Sequence, residues 1–159
     1  MTHPGRHDAW RHVTPDEMEA AGLAAWESVH LSRSLSAYVK AAWRHSGAAA
    51  DLRWSWYLDA ICEHLQAVSA GQIKRLLINQ PPRTLKSWVT SVYWPTWEWA
   101  KSPWEQWLYI SYAQSLSFRD SQRCRMLIST DWYQDRWGHV YQLGGEAGDA
   151  TKTRLDTVE

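Results

Sequence analysis

The sequence has no excess of either charge, because Lys plus Arg and Asp plus Glu each total 17 among its 159 residues. A basic excess would indicate a nucleic-acid surface and an acidic excess a disordered chain, so neither class is favoured. No run approaches the ~20 apolar residues of a membrane span, and the N-terminus lacks the apolar core of a signal peptide. We therefore expect a soluble, cytosolic chain, long enough to bury a hydrophobic core and without a membrane partner.

Cysteine and phenylalanine are both scarce. The two cysteines, Cys62 and Cys124, stand far apart without a CxxC pattern. We interpret them as small buried hydrophobic residues of a reducing compartment, not as a disulfide. A single Phe stands against 13 Trp, which is more indole than a core of this size needs. Some tryptophans are therefore expected at a surface that meets another domain or protein.

The first half of the chain has helical patterns. Residues 1–13 are polar and His-rich, and we predict a flexible tail. The capping box at residues 14–17, with Pro15 at the first helical position, predicts a helix to about His30. A second helix is predicted from about Ser34 to Arg44, and a third ends at Gly71. Their apolar stripes comprise Leu35, Tyr38, Val39 and Ala42 in the second helix and Leu58, Ile61, Leu65 and Val68 in the third. Residues 14–70 are thus predicted to form a helical segment.

Two short apolar runs, residues 75–79 and 107–112, are each followed by a helical pattern. We interpret both runs as buried strands. The helices are predicted from about Lys86, with an interruption near Pro95, and from about Gln114 to Ser129. This alternation predicts an α/β fold, an incomplete P-loop NTPase-like parallel sheet over residues 71–159, flanked by helices. Residues 151–158 are a further candidate strand, in a hairpin.

The loop between the first run and its helix reads QPPRTLKS and contains no glycine. A phosphate-binding loop needs a lysine and a Ser or Thr at a helix N-terminus, usually written G-x-x-x-x-G-K-[ST]. Lys86 and Ser87 fit this pattern, but Gln80 and Leu85 hold the glycine positions. The prolines at 81 and 82 could impose another backbone path by fixing two φ angles. From these residues alone, a nucleotide site and a proline turn with a surface lysine both stay open.

Several stretches in the same order resemble one protein family. The helix WYLDAICEHLQAV, the run and loop LLINQPPRTLKS, and the later SVYWPTWEWAKSP and LYISYAQSLSFRDSQRCRMLISTDWYQDRWG are similar to the N-terminal ATPase region of large terminase subunits. These phage or prophage motors package double-stranded DNA into tailed-phage heads. The resemblance runs from about residue 34 to 156, and it includes the family's divergent Walker A motif.

The resemblance implies ATP and Mg²⁺ as cofactors. Lys86 would hold the β and γ phosphates, and Ser87 would help to hold Mg²⁺. Arg83 is a candidate sensor of the γ-phosphate. The implied loop consists of Pro82, Arg83, Thr84, Leu85, Lys86 and Ser87. The implied partners are DNA, a portal protein and a small terminase subunit, in the cytoplasm of a bacterial host.

ATP hydrolysis also needs paired acids at the end of a strand, to hold Mg²⁺ and to activate water. No apolar run after Lys86 ends in such a pair, and residues 153–156 are the nearest approach. The family's coupling motif and its C-terminal nuclease domain are also missing. We expect an N-terminal piece of the motor. A truncated gene, a split gene with a separately encoded C-terminal half, and a partial record all stay open as its origin. The alternative is a non-catalytic remnant that only binds ATP or another protein.

The helix at residues 114–129 carries three arginines whose role the sequence leaves open: Arg119, Arg123 and Arg125. They could contact DNA or a neighbouring subunit's nucleotide. The simpler interpretation is a solvated helix face with a pair between Asp120 and Arg123 at i, i+3. Trp132, Tyr133 and Trp137 could stack on bases, but without an interleaved basic groove we interpret them as packing residues.

Overall fold

The structure is a computed structural model, and it describes residues 15–47 and 51–140. The described residues form seven α-helices and one π-helical turn. In chain order these are α1 (Pro15–Arg33), α2 (Leu35–Trp43), α3 (Trp56–Ser69), α4 (Lys86–Trp88), the π turn (Val89–Tyr93), α5 (Trp94–Trp99), α6 (Gln114–Ile128) and α7 (Asp131–Trp137). Because α4, the π turn and α5 follow one another directly, residues 86–99 are named the loop helix below.

The helices predicted before Gly71 are confirmed. The four predicted stripe residues of α2 are all buried, and so are three of the four in α3; Val68 is half-buried. Ser34 caps α2 by accepting from the Ala37 N–H, while the side chain of Gln66 in α3 accepts from the Leu35 N–H at 2.8 Å. The start of α2 is therefore tied both to its own cap and to the neighbouring helix.

The core lies between α2, α3, the loop helix, α6 and α7, and Thr96 is at its centre, with no exposed surface. The Tyr38 hydroxyl donates to Thr96 Oγ1 at 2.9 Å, and the Tyr133 hydroxyl donates to the Thr96 carbonyl at 2.9 Å. Thr96 Oγ1 in turn donates to the Val92 carbonyl at 2.8 Å. These bonds join α2, the loop helix and α7 through groups that would be costly to leave unpaired.

The predicted parallel sheet is wrong for the described residues, which contain no β-strand. We name residues 75–80 apolar segment 1 and residues 107–112 apolar segment 2. Both lie on the loop helix, but no backbone hydrogen bond among the described residues involves either segment. A strand exists only where a second chain segment pairs with its N–H and C=O groups. Both segments have the apolar pattern of a strand, but neither pairs with a second strand among the described residues. The candidate strand at residues 151–158 lies outside the described residues.

Helix α7 is an element that the sequence analysis did not assign. Thr130 caps it by accepting from the Tyr133 N–H, and the Gln134 side chain donates to the Ile128 carbonyl at 2.7 Å, at the end of α6. The side chains of Trp132, Tyr133 and Trp137 are buried, so their interpretation as packing residues is confirmed. The helix thus closes the core against α1 and α2.

Both cysteines are buried and free, as expected. The predicted surplus of exposed indole is also present, since Trp26, Trp56 and Trp104 are mainly exposed. Among the described residues no helix combines the length and the apolar character that crossing a bilayer requires.

Candidate functional site

The candidate site is the turn between apolar segment 1 and the loop helix. Its backbone takes a left-handed conformation at two non-glycine residues, with φ of 66° at Arg83 and 62° at Leu85. Such angles cost a branched or bulky residue on the order of 1–3 kcal/mol. Thr84, which stands between them, donates from Oγ1 to the Pro81 carbonyl at 2.8 Å. The turn therefore adopts the dihedral angles that glycine normally supplies, without glycine.

Lys86 is the first residue of the loop helix, where the sequence analysis predicted a helix start. The first helical hydrogen bond runs from the Val89 N–H to the Leu85 carbonyl at 3.0 Å. Among the described residues, the N–H groups of residues 83 to 86 donate to no backbone or side-chain acceptor. Free N–H groups at a helix N-terminus, in a turn with left-handed residues, are donors of the kind that bind phosphate.

The side chains of the loop are accessible to a ligand. Pro82, Arg83 and Ser87 are exposed, and Lys86 is half-buried. No carboxylate of the described residues forms an ion pair with Lys86 or Arg83. Two cations and a hydroxyl therefore lie on or next to the residues whose N–H groups are free. These donors fit the polyphosphate of a nucleotide, and Ser87 is placed beside Lys86 for a metal ion held with it.

Behind the loop lies a cavity of about 370 Å³, between α3, apolar segment 1 and the loop helix. Lys86 and Thr90 supply its polar groups. Its other walls are apolar and comprise Leu65, Val68, Leu76, Ile78 and Trp94. Leu76 and Ile78 line the cavity while Leu77 points out to solvent, which is the alternation of an extended chain.

The π turn places an irregular stretch of helix directly after the loop. Trp94 donates its N–H to the Val89 carbonyl, five residues back. Pro95 has no N–H to donate to the carbonyl of Thr90 or of Ser91, which lie five and four residues before it. Side chains donate to both instead: the Tyr109 hydroxyl to Thr90 at 2.9 Å and the Cys124 thiol to Ser91 at 3.3 Å.

Tyr109 and Cys124 therefore hold the loop helix, and sequence reasoning gave neither residue this function. The signal that could have found them is Pro95, because a proline within a helix frees carbonyl groups that need other donors. Burial raises the pKa of the Cys124 thiol to about 12. The thiol thus keeps its proton at neutral pH and remains a donor.

Helix α6, which follows the candidate loop along the chain, carries three arginines. Two of them pair with Asp120. Arg119 and Arg123 lie 3.0 and 3.3 Å from its Oδ1, so the predicted pair between Asp120 and Arg123 is confirmed. The Arg123 guanidinium also stacks over the Trp88 ring, 4.2 Å from its centroid. This contact joins α6 to the first turn of the loop helix.

The described residues contain no group of three or more His, Cys, Asp or Glu side chains that could hold a metal ion by themselves. Asp156, in the nearest approach to a paired-acid motif, lies outside the described residues. No protein-family model, no curated protein and no solved structure matches this chain.

Proposed function

We propose that this chain binds ATP through residues 82–87, as the N-terminal ATP-binding part of a terminase-like DNA-packaging motor. The observation that carries the proposal is the pair of left-handed residues, Arg83 and Leu85, immediately before Lys86 at a helix start. A proline turn with a surface lysine needs no such strain. A loop that directs several successive N–H groups at an anion uses such left-handed angles, and here non-glycine residues adopt them.

In this proposal both the backbone and the side chains of the loop bind the nucleotide. The free N–H groups of residues 83–86 and the Lys86 ammonium bind the phosphates, and the exposed Arg83 neutralises their outer charge. Ser87 would hold Mg²⁺ together with the nucleotide, and the ion would supply charge neutralisation between the β and γ phosphates. The proposal depends on the loop and its helix and requires no sheet.

Turnover is not expected from this chain by itself, because no apolar run after Lys86 ends in the paired acids that activate water. Hydrolysis and DNA translocation belong to the complete motor in the host cytoplasm, as do contacts with a portal protein and a small terminase subunit. If the gene is split, a separately encoded C-terminal half is a further partner. The alternative function is a remnant that binds ATP or a protein without catalysis. The exposed apolar surface of apolar segment 2 favours its protein-binding form.

Calorimetry with Mg²⁺-ATP tests the proposal. The wild type should bind, and Lys86→Ala should lose measurable affinity. Lys74→Ala is the matched control, because Lys74 is an exposed lysine in the same connection, outside the loop, and it should bind as the wild type does. No binding by the wild type, or unchanged binding by Lys86→Ala, would exclude the proposed site.

A further inference from the structure

Apolar segment 2 exposes a row of large side chains. Leu108, Ile110 and Tyr112 are 86%, 88% and 95% exposed. The alternate residues face the opposite way: the Trp107 ring meets the Trp94 ring at 4.6 Å, and Tyr109 donates to the loop helix. One side of the segment is therefore fixed to the protein while the other is an uncovered apolar row, which monomeric proteins seldom leave open.

The backbone of the segment is also unpaired. No backbone hydrogen bond among the described residues involves residues 107–112. The sequence WLYISY contains no charge, no proline and no glycine. These are the features of a segment that pairs with another strand, and none of the residues that normally block such pairing is present.

We propose that apolar segment 2 pairs with the same segment of a second copy of this chain, antiparallel across a two-fold axis at Ile110. In this arrangement Ile110 lies opposite itself, and Leu108 of one copy lies opposite Tyr112 of the other. A self-pairing segment must tolerate its own charges face to face. This one carries none, so pairing brings no like-charge repulsion.

The available area fits a weak dimer. At roughly 150–200 Å² for each exposed side chain, the row presents on the order of 500 Å² per copy. Strands pair edge to edge, so the two rows lie side by side on one face and pairing covers only part of this area. The interface is therefore smaller than the roughly 1,200 Å² of a stable one, and the dimer should dissociate on dilution.

Sedimentation velocity across loading concentrations of about 1–100 µM tests the proposal. The wild type should shift from monomer to dimer, and Ile110→Lys should weaken dimerisation at least ~10-fold, because it places two like charges opposite each other. Met126→Lys is the control: Met126 is an exposed apolar residue of α6, and this variant should dimerise normally. Far-ultraviolet circular dichroism checks that each variant is folded.

Cysteine cross-linking tests the two-fold geometry. Ile110→Cys should form an intermolecular disulfide under mild oxidation, since directly opposed residues lie within disulfide range. Leu77→Cys, at an equally exposed site outside the segment, should not do so at a comparable rate, and the native cysteines are buried. A monomer at every concentration overturns the proposal, whether residues 107–112 are free or covered by the chain's own segments. Aggregation that Ile110→Lys leaves unchanged overturns it as well.

Discussion

The helical core and the two apolar segments differ in whether their buried polar atoms have hydrogen-bond partners. In the core, the hydroxyls of Tyr38 and Tyr133 both reach Thr96, and the Trp97 indole donates to the Leu31 carbonyl at 2.9 Å. In the segments, Gln80 Oε1 and Trp107 Nε1 are buried and have no hydrogen-bond partner among the described residues. An unpaired buried group costs about 1–3 kcal/mol, so the core is complete and the segments are not.

The same contrast applies to apolar side chains. The helices α2 and α3 bury all or most of their apolar stripes, whereas Leu77, Leu108 and Ile110 are almost fully exposed. The most exposed apolar side chains and the unpaired polar atoms of the segments thus lie close to each other, beside the candidate loop. The candidate loop therefore has a packed helical core on one side and an exposed apolar surface on the other.

The largest expected effect comes from one substitution made in both regions. Leu58→Ala, in the core, should lower the free energy of unfolding by about 2–5 kcal/mol, because it leaves a cavity. Leu108→Ala should change it by less than about 0.5 kcal/mol, because that side chain is already in solvent. Urea unfolding followed by tryptophan fluorescence measures both, at a protein concentration too low for association. Equal losses would contradict the contrast between the regions.

Polar substitutions should separate the two regions by a smaller amount. Thr96→Val keeps the shape of the side chain but removes the acceptor of the Tyr38 hydroxyl, so unfolding should become easier by about 1–3 kcal/mol. Gln80→Met removes a buried oxygen that has no partner, and should be neutral or stabilising by up to about 1 kcal/mol. Urea unfolding again provides the measurement. A clear loss in Gln80→Met would show that Gln80 has a partner in solution.

A glycine substitution tests the strained backbone of the candidate loop directly. Arg83 is exposed and has a φ of 66°, so Arg83→Gly should stabilise the protein by about 0.5–1 kcal/mol through relief of strain. Lys74→Gly, at an exposed residue without positive φ, should instead be slightly destabilising. Thermal unfolding compares the two variants. Destabilisation by the same amount in both would mean that residue 83 is not left-handed in solution.

The sequence was sufficient for the parts of the fold that local pattern decides. The stripe of α2 and the start of the loop helix at Lys86 were predicted because helical period and helix-start signals depend on neighbouring residues. The short helix α7 was missed because seven residues rich in tryptophan show too little periodicity. The strands were predicted wrongly because an apolar run specifies burial, while a strand also requires a partner that local sequence does not name.

The candidate loop was only partly predictable, for a similar reason. The lysine and serine could be read from the spacing, and the absence of glycine raised the question of the backbone path. The answer, left-handed angles at Arg83 and Leu85, depends on how the turn is held between apolar segment 1 and the loop helix. The supports at Tyr109 and Cys124 come from distant parts of the chain, and only the fold brings them to the carbonyls that Pro95 frees.

The smallest expected effect is a pH dependence on the helical side of the comparison. His45 stacks on the Trp132 ring, with 4.9 Å between centroids. Partial burial lowers the pKa of His45 from its ordinary value of 6.5, and the positive charges of Arg136 and Arg44 lower it further, while Glu27 opposes them. The folded protein therefore binds a proton at His45 less readily than the unfolded chain does.

The sign of the effect follows from this difference in proton binding. Between the lowered folded pKa and 6.5 the unfolded chain holds more protons, so stability is greatest above pH 6.5 and declines as the pH falls through that window. His45→Phe retains an aromatic ring against Trp132 but cannot titrate, so its melting temperature should fall less between about pH 7.5 and 5.5. Because His45 is exposed at one edge, the difference should be small. An NMR titration of His45 with a midpoint at or above 6.5 would refute the assignment. It would show that burial and the charges of Arg136 and Arg44 do not act on this side chain as described.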